Sequence, residues 1–113
     1  MTGPTNDPVT EGPDDGLVDR LVDRAVGAVL GSACGDALGA GYEFTNPGPD
    51  AAIGMVGGGV FGWAPGEWTD DTQMALGILD VLAERGGPTD GDPVDIEAIG
   101  ANFLAWAASG PAD

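Results

Sequence analysis

The chain contains no histidine and no lysine, and Cys34 is its single cysteine. Protein zinc sites are built mainly from histidine and cysteine, so this composition argues against zinc. A lone cysteine also excludes an internal disulfide and fits a reducing cytoplasm. The missing lysine excludes a Walker A phosphate-binding loop. Any metal chemistry in this sequence therefore depends on oxygen ligands.

Positive charge is also scarce, with 3 basic residues against 19 acidic ones and a net charge of −16 in 113 residues. Such acidity disfavours nucleic acid and anionic membranes as partners and favours cations. The longest uncharged run in the first helical segment, residues 25–35, is shorter than the ~20 residues that span a bilayer. Residues 1–15 lack the basic and apolar regions of a signal peptide. We therefore expect a cytoplasmic protein that does not enter the membrane.

The length is that of one domain, and the pattern predicts an acidic disordered tail over residues 1–15 followed by helices. The first helix is predicted over residues 17–40, where apolar residues recur at helical spacing, with Asp15 as its N-cap. Glycine recurs there at every fourth position, at Gly27, Gly31, Gly35 and Gly39. Each glycine costs roughly 0.8–1.0 kcal/mol of helix propensity. The stripe therefore predicts close approach of another helix; compositional bias is the alternative.

Two further helices are predicted after a loop over residues 41–67 that contains a possible short strand at 53–56. The second helix is predicted from about Asp70 to Arg85, where two glycines and a proline end it. The third is predicted to begin near Asp92 and Pro93, because proline suits the first helical position, and to end at Ser109. The sequence thus predicts an all-α fold.

Residues 57–62 match the G-x-G-x-x-G pattern of dinucleotide-binding loops. That function requires a helix to begin inside the pattern, so that its N-terminus faces the pyrophosphate. Residues 63–66, which include Pro65, delay the next helix. The pattern therefore does not indicate a dinucleotide site here.

Thr69, Asp70 and Asp71 place a hydroxyl and two adjacent carboxylates where the second helix should begin. Mg²⁺ takes oxygen ligands of this kind. These residues also suit helix capping, because threonine and aspartate are good N-caps and acids complement the positive end of the helix dipole. From the residues alone, a metal site and simple capping both remain open.

Asp36 and Glu43 are the other acidic positions of interest. Asp36 lies on the apolar stripe of the first helix, where a buried carboxylate needs a partner or a cation. Capping of a neighbouring turn is the alternative. Glu43 stands between Tyr42 and Phe44, just past the helix end. Three acidic clusters without a nearby lysine make a cation site credible.

Three segments together resemble the ADP-ribosylglycohydrolase family: G-S-A-C-G-D-A-L-G at residues 31–39, Y-E-F at 42–44 and W-T-D-D-T-Q-M at 68–74. The resemblance covers about residues 24–111. It implies that the three helices form the N-terminal part of an all-α domain with a binuclear Mg²⁺ or Mn²⁺ centre. It also implies hydrolysis of ADP-ribose linkages to protein side chains or small molecules.

By this resemblance, Thr69, Asp70 and Asp71 are metal ligands, and Asp36 and Glu43 are the acidic residues of the catalytic cleft. Glycosidic cleavage passes through an oxocarbenium-like transition state with carboxylates around it. Which carboxylate serves as general base stays open. The implied partners are ADP-ribosylated proteins or small ADP-ribose conjugates.

One feature of the family pattern is missing. Its remaining metal ligands come from a later D-x-D-T-like motif, and the spacing recurs here only at residues 90–93, where Pro93 replaces threonine. We therefore expect residues 16–113 to be an incomplete domain, an N-terminal fragment or truncated homologue that holds half a site and is inactive alone. The alternative is a non-catalytic cation- or nucleotide-binding helical module, or an inactive fragment.

Overall fold

The computed structural model describes residues 15–86 and 93–112. The tail predicted for residues 1–15 lies outside the described residues except for Asp15, as do residues 87–92 with the D-x-D spacing. The chain divides into two compact units, Met1–Leu30 and Gly31–Asp113.

The elements are α1 (Asp15–Gly39), a 3-10 turn (Ala40–Tyr42), α2 (Asp70–Arg85) and α3 (Ile96–Ala108). The residues that the structure describes contain no β-strand beyond one isolated bridge between Gly58 and Trp63, which confirms the predicted all-α class. No helix within this part of the chain is both long enough and apolar enough to cross a bilayer.

The short strand predicted at residues 53–56 does not form. The backbone of Gly54 instead pairs with the Tyr42 side chain: its N–H donates to the hydroxyl at 3.1 Å, and its carbonyl accepts from that hydroxyl at 3.2 Å. A strand needs hydrogen-bond partners for its backbone groups, and for Gly54 the Tyr42 side chain is that partner.

Helix α1 begins at Asp15, two residues before the predicted start, so the expected cap is itself helical. The prediction that its glycine stripe is approached closely by another helix is wrong for the described chain. A Cβ atom built on Gly27, Gly31, Gly35 or Gly39 would meet nothing within 4 Å. In the first unit, the apolar side chains of Leu17, Val18 and Leu21 are about half exposed.

Helices α2 and α3 pack against each other in antiparallel order. The Trp106 indole N–H donates to the Gln73 side chain at 2.6 Å, and the Asn102 amide donates to the Gly77 carbonyl at 2.8 Å. At the opposite end, Arg85 forms an ion pair with Asp95. These contacts fix the direction of α2 relative to α3. The N-terminus of α2 carries Asp70 and Asp71.

Helix α2 has the predicted bounds and ends at Arg85, followed by Gly86 with φ +77°. Helix α3 begins at Ile96, so the predicted start near Asp92 and Pro93 is wrong. Asp95 is its N-cap, because its carboxylate accepts from the Ala98 N–H at 2.9 Å. The same acid also forms the ion pair with Arg85, and the helix that it caps begins three residues after Pro93.

Candidate functional site

The five residues singled out from the sequence line one cavity of about 700 Å³ in the second unit. Asp36 comes from the last turns of α1, Glu43 follows the 3-10 turn, and Thr69, Asp70 and Asp71 stand at the start of α2. The structure thus brings together residues that are up to 35 positions apart in the chain. Further lining comes from small or hydroxyl-bearing residues: Gly31, Ser32, Gly35, Gly39, Ala40 and Tyr42.

Helix α1 forms one wall of the cavity. Three of the striped glycines, Gly31, Gly35 and Gly39, line it. Because glycine has no side chain, the helix backbone itself forms this wall. The same stripe that lacks a helix partner therefore leaves space beside the carboxylates.

The carboxylate of Asp36 caps α2 from a different helix. Its Oδ2 accepts from the backbone N–H groups of Thr69, at 2.9 Å, and Thr72, at 3.1 Å. Both threonine hydroxyls also donate to it at 2.6 Å, Thr69 to Oδ1 and Thr72 to Oδ2. Thr69 occupies the N-cap position but makes no capping bond of its own. Asp36 therefore satisfies backbone donors that a helix start leaves unpaired.

These bonds dominate the electrostatics of Asp36. Burial raises the pKa of its carboxyl, but the hydrogen bonds from Thr69 and Thr72 outweigh burial and hold the pKa below the ordinary value of 3.8. Hydrogen bonds to the charged form favour that form. Asp36 is therefore an ionised acceptor at neutral pH, and the capping alternative describes its contacts.

Thr69 is 5% exposed, and its hydroxyl lies between two carboxylates. It is 2.6 Å from Asp36 Oδ1 and 3.1 Å from Asp70 Oδ1. A hydroxyl carries one proton and donates to one of these carboxylates at a time, and the shorter contact favours Asp36. In that arrangement the lone pairs of the hydroxyl are left for other partners.

Glu43 occupies a strained turn beside the cavity. The Thr45 N–H donates to the Tyr42 carbonyl at 2.8 Å, which closes a four-residue turn. Glu43 has φ −53° and ψ 135°, and Phe44 has φ +56°. These are type II turn values, which favour glycine at the position that Phe44 holds. A bulky residue in the left-handed region is uncommon, and such strain tends to occur at functional sites.

The glycine-rich segment at residues 57–62 supports this turn and does not begin a helix, as the sequence analysis expected. Gly58 and Trp63 exchange backbone hydrogen bonds of 2.7 and 3.0 Å, which close the loop on itself. The loop packs so tightly on Gly41 that a Cβ there would lie 2.2 Å from the Gly57 carbonyl oxygen. The loop therefore holds in place the chain that leads to Glu43.

The donor set of the cavity fits a hard divalent cation. Octahedral Mg²⁺ with bonds of about 2.0–2.1 Å sets adjacent oxygens roughly 2.9 Å apart. The Thr69 hydroxyl and Asp70 Oδ1, 3.1 Å apart, meet that spacing. Asp71 adds a second carboxylate to the lining. Within residues 15–86 and 93–112, however, no cluster of three or more acidic, histidine or cysteine side chains stands ready to hold a metal.

Thr72 is a residue that sequence reasoning did not select. It is 6% exposed, and both its N–H and its hydroxyl bind Asp36. Its position three residues after the N-cap is where side chains often take part in capping. That spacing was a signal of a capping role, but it gave no indication that the partner would be Asp36.

Comparisons with known proteins agree with these features. The sequence model of the ADP-ribosylglycohydrolase family matches residues 17–113. A protein of Acanthamoeba polyphaga mimivirus, provisionally named ADP-ribosyl glycohydrolase L543, is 35% identical over 85 residues, covering 67% of this chain and 24% of that protein. The ADP-ribosylarginine hydrolase Tri1 of Pseudomonas putida (strain GB-1) is 48% identical over 49 residues, covering 43% of this chain and 13% of that protein.

The chain therefore belongs to the ADP-ribosylglycohydrolase family. It spans less than a quarter of the length of either of these two relatives.

Proposed function

We propose that this chain contributes the N-terminal half of the active site of a metal-dependent hydrolase that removes ADP-ribose from modified side chains or small conjugates. The observation that carries this proposal is the shared cavity of Asp36, Glu43, Thr69, Asp70 and Asp71. Family membership and the names of the relatives support the same activity.

Arginine-linked ADP-ribose is the first substrate to test, since one relative is named an ADP-ribosylarginine hydrolase. A guanidinium group also suits a chain with a net charge of −16. The negatively charged diphosphate of ADP-ribose, in contrast, would be repelled by the carboxylates of the cavity. A bound cation would offset that repulsion.

Thr69, Asp70 and Asp71 would hold Mg²⁺ or Mn²⁺, which supplies Lewis-acid polarisation and a lowered pKa of water. The carboxylates of Asp36 and Glu43 are the candidates for orienting or deprotonating the attacking water. Together the acidic residues would supply negative charge near the ribose anomeric carbon, which becomes positive in an oxocarbenium-like transition state. By the resemblance, the remaining metal ligands come from the D-x-D-T-like motif that the 113 residues lack.

The test is a calorimetric titration of the 113-residue chain with Mn²⁺. We expect weak, saturable binding, because few protein ligands offset the loss of hydration water. Asp70→Asn and Asp71→Asn should each abolish it. Asp80→Asn is the matched control, since Asp80 is an exposed acid of α2 that does not line the cavity. Equal affinity in all four proteins would leave Asp70 and Asp71 with a capping role only.

A further inference from the structure

Asp36 lines the cavity, yet α2 already occupies its carboxylate. The two oxygens accept four hydrogen bonds, all of them from Thr69 and Thr72. An ionised carboxylate offers about four acceptor sites. Oδ2 accepts three of these bonds and Oδ1 accepts one, so α2 occupies most of the acceptor capacity of the carboxylate.

The same bonds determine what the Thr69 hydroxyl can do. Its proton is directed to Asp36 Oδ1, at 2.6 Å, so its lone pairs are left for other partners. Asp70 Oδ1 lies 3.1 Å from the same hydroxyl oxygen. A threonine hydroxyl binds a cation through a lone pair and not through its proton. Asp36 thus sets Thr69 in the orientation that a metal ligand requires.

We propose that Asp36 is a positioning residue, which anchors the N-terminus of α2 and turns the Thr69 hydroxyl into a cation ligand. The part of this inference that concerns the cation rests on the proposed function. The anchoring of α2 stands on the hydrogen bonds alone.

A substitution at Thr72 distinguishes a positioning role of Asp36 from direct contact between Asp36 and the cation. Thr72 is buried and does not line the cavity, and its hydroxyl donates to Asp36 Oδ2. Thr72→Val keeps its shape and its backbone N–H but removes the hydroxyl that Asp36 Oδ2 binds. If Asp36 acts by positioning, this buried change should weaken cation binding although it removes no ligand and no charge.

The experiment compares the wild-type 113-residue chain with Asp36→Asn, Thr72→Val and Glu43→Gln. Glu43→Gln is the matched control, because it removes one cavity charge and keeps Asp36, Thr69 and Thr72, the three residues that form the four hydrogen bonds of the cap. Two quantities are measured: hydrogen exchange of the Thr69 and Thr72 amides by NMR, and Mn²⁺ affinity by calorimetry. Asparagine offers one acceptor oxygen, so Asp36→Asn should speed exchange of these amides roughly 10-fold. It should weaken Mn²⁺ binding about 10–100-fold, as loss of supporting residues does at metal sites.

Thr72→Val should shift both quantities in the same direction by less, and Glu43→Gln should leave the amide exchange unchanged. The proposal is overturned if Asp36→Asn and Thr72→Val exchange and bind Mn²⁺ like the wild type. It is also overturned if Glu43→Gln speeds exchange as much as Asp36→Asn does. If the wild type binds no Mn²⁺, the proposed function loses its metal, while faster exchange in the two cap variants still supports the anchoring role.

Discussion

The Asp36 carboxylate accepts hydrogen bonds from both the backbone N–H and the hydroxyl of Thr72, a residue 36 positions further along the chain. This contact joins the end of α1 to the first turn of α2. Because α2 carries Asp70 and Asp71, the same contact places them beside the cavity that α1 lines.

Asp36 should therefore stabilise the second unit. We expect Asp36→Ala to lower the free energy of unfolding by about 1–2 kcal/mol, the upper range for loss of a helix cap, because Thr69 and Thr72 are buried. Urea unfolding followed by circular dichroism measures the change. Asp80→Ala, at an exposed position of α2, should stay within about 0.5 kcal/mol of wild type. Equal effects of the two substitutions would show that the cap contributes nothing particular.

The glycines of α1 and of the 3-10 turn should respond in opposite directions to alanine. Gly35 has open space around it, so Gly35→Ala should stabilise α1 by roughly 0.8–1.0 kcal/mol through helix propensity. At Gly41 the new Cβ would lie 2.2 Å from the Gly57 carbonyl oxygen. Gly41→Ala should destabilise the unit by about 1–3 kcal/mol, as overpacking does. Urea unfolding of both variants is the measurement, and a loss of stability in Gly35→Ala would reveal a packing partner for the stripe.

At position 44, a glycine variant should be more stable than an alanine variant, which is the reverse of the usual order. The φ of Phe44, +56°, is strained for any residue with a Cβ, whereas glycine adopts it freely. Phe44→Gly should therefore be about 1 kcal/mol more stable than Phe44→Ala, although both lose the ring contact with Phe61. Comparing these two variants separates backbone strain from the lost contact. An alanine variant as stable as the glycine one would mean that the turn is relaxed.

Asp95 should give the α2–α3 pair a dependence on pH. The Ala98 N–H, and to a lesser degree Arg85, hold the pKa of the Asp95 carboxyl below its ordinary value of 3.8. A depressed pKa contributes stability above the unfolded value, and the contribution disappears as the pH falls through the lower, folded value. The wild type should therefore lose stability below about pH 4 more steeply than Asp95→Asn, which can still cap but does not titrate. Thermal unfolding of both proteins between about pH 5 and pH 2 tests this, and parallel curves would contradict it.

The sequence allowed α2 to be predicted within its observed bounds, because Asp70 and Asp71 mark its start and Gly86 its end by local rules. It failed for the start of α3, where Pro93 and Asp95 are both acceptable signals. In the structure Asp95 caps α3 through Ala98 and also contacts Arg85 of α2. Local patterns cannot describe such a contact.

The candidate site, too, could be predicted from the sequence only in part. Its members could be chosen from residue type and resemblance, and the structure places all five around one cavity. The engagement of Asp36 by Thr69 and Thr72 could not be predicted, because it depends on how the end of α1 meets α2. Similarly, the glycine stripe was expected to face a helix, whereas three of its members line the cavity.

The central claim is that these residues form the N-terminal half of a metal-dependent site for ADP-ribose removal. Its direct test places residues 17–113 in the Pseudomonas putida ADP-ribosylarginine hydrolase, in exchange for the segment of that enzyme that contains the 49 matched residues. Release of ADP-ribose from an ADP-ribosylarginine peptide is then measured with Mn²⁺ and with EDTA, after circular dichroism has shown that the hybrid is folded. We expect the hybrid to release ADP-ribose with Mn²⁺ and not with EDTA. Asp70→Asn should lower the rate of release by roughly 10–100-fold or more, since loss of a supporting residue at a metal site already costs that much. A folded hybrid that releases no ADP-ribose, or one that is as active in EDTA as in Mn²⁺, would contradict the claim.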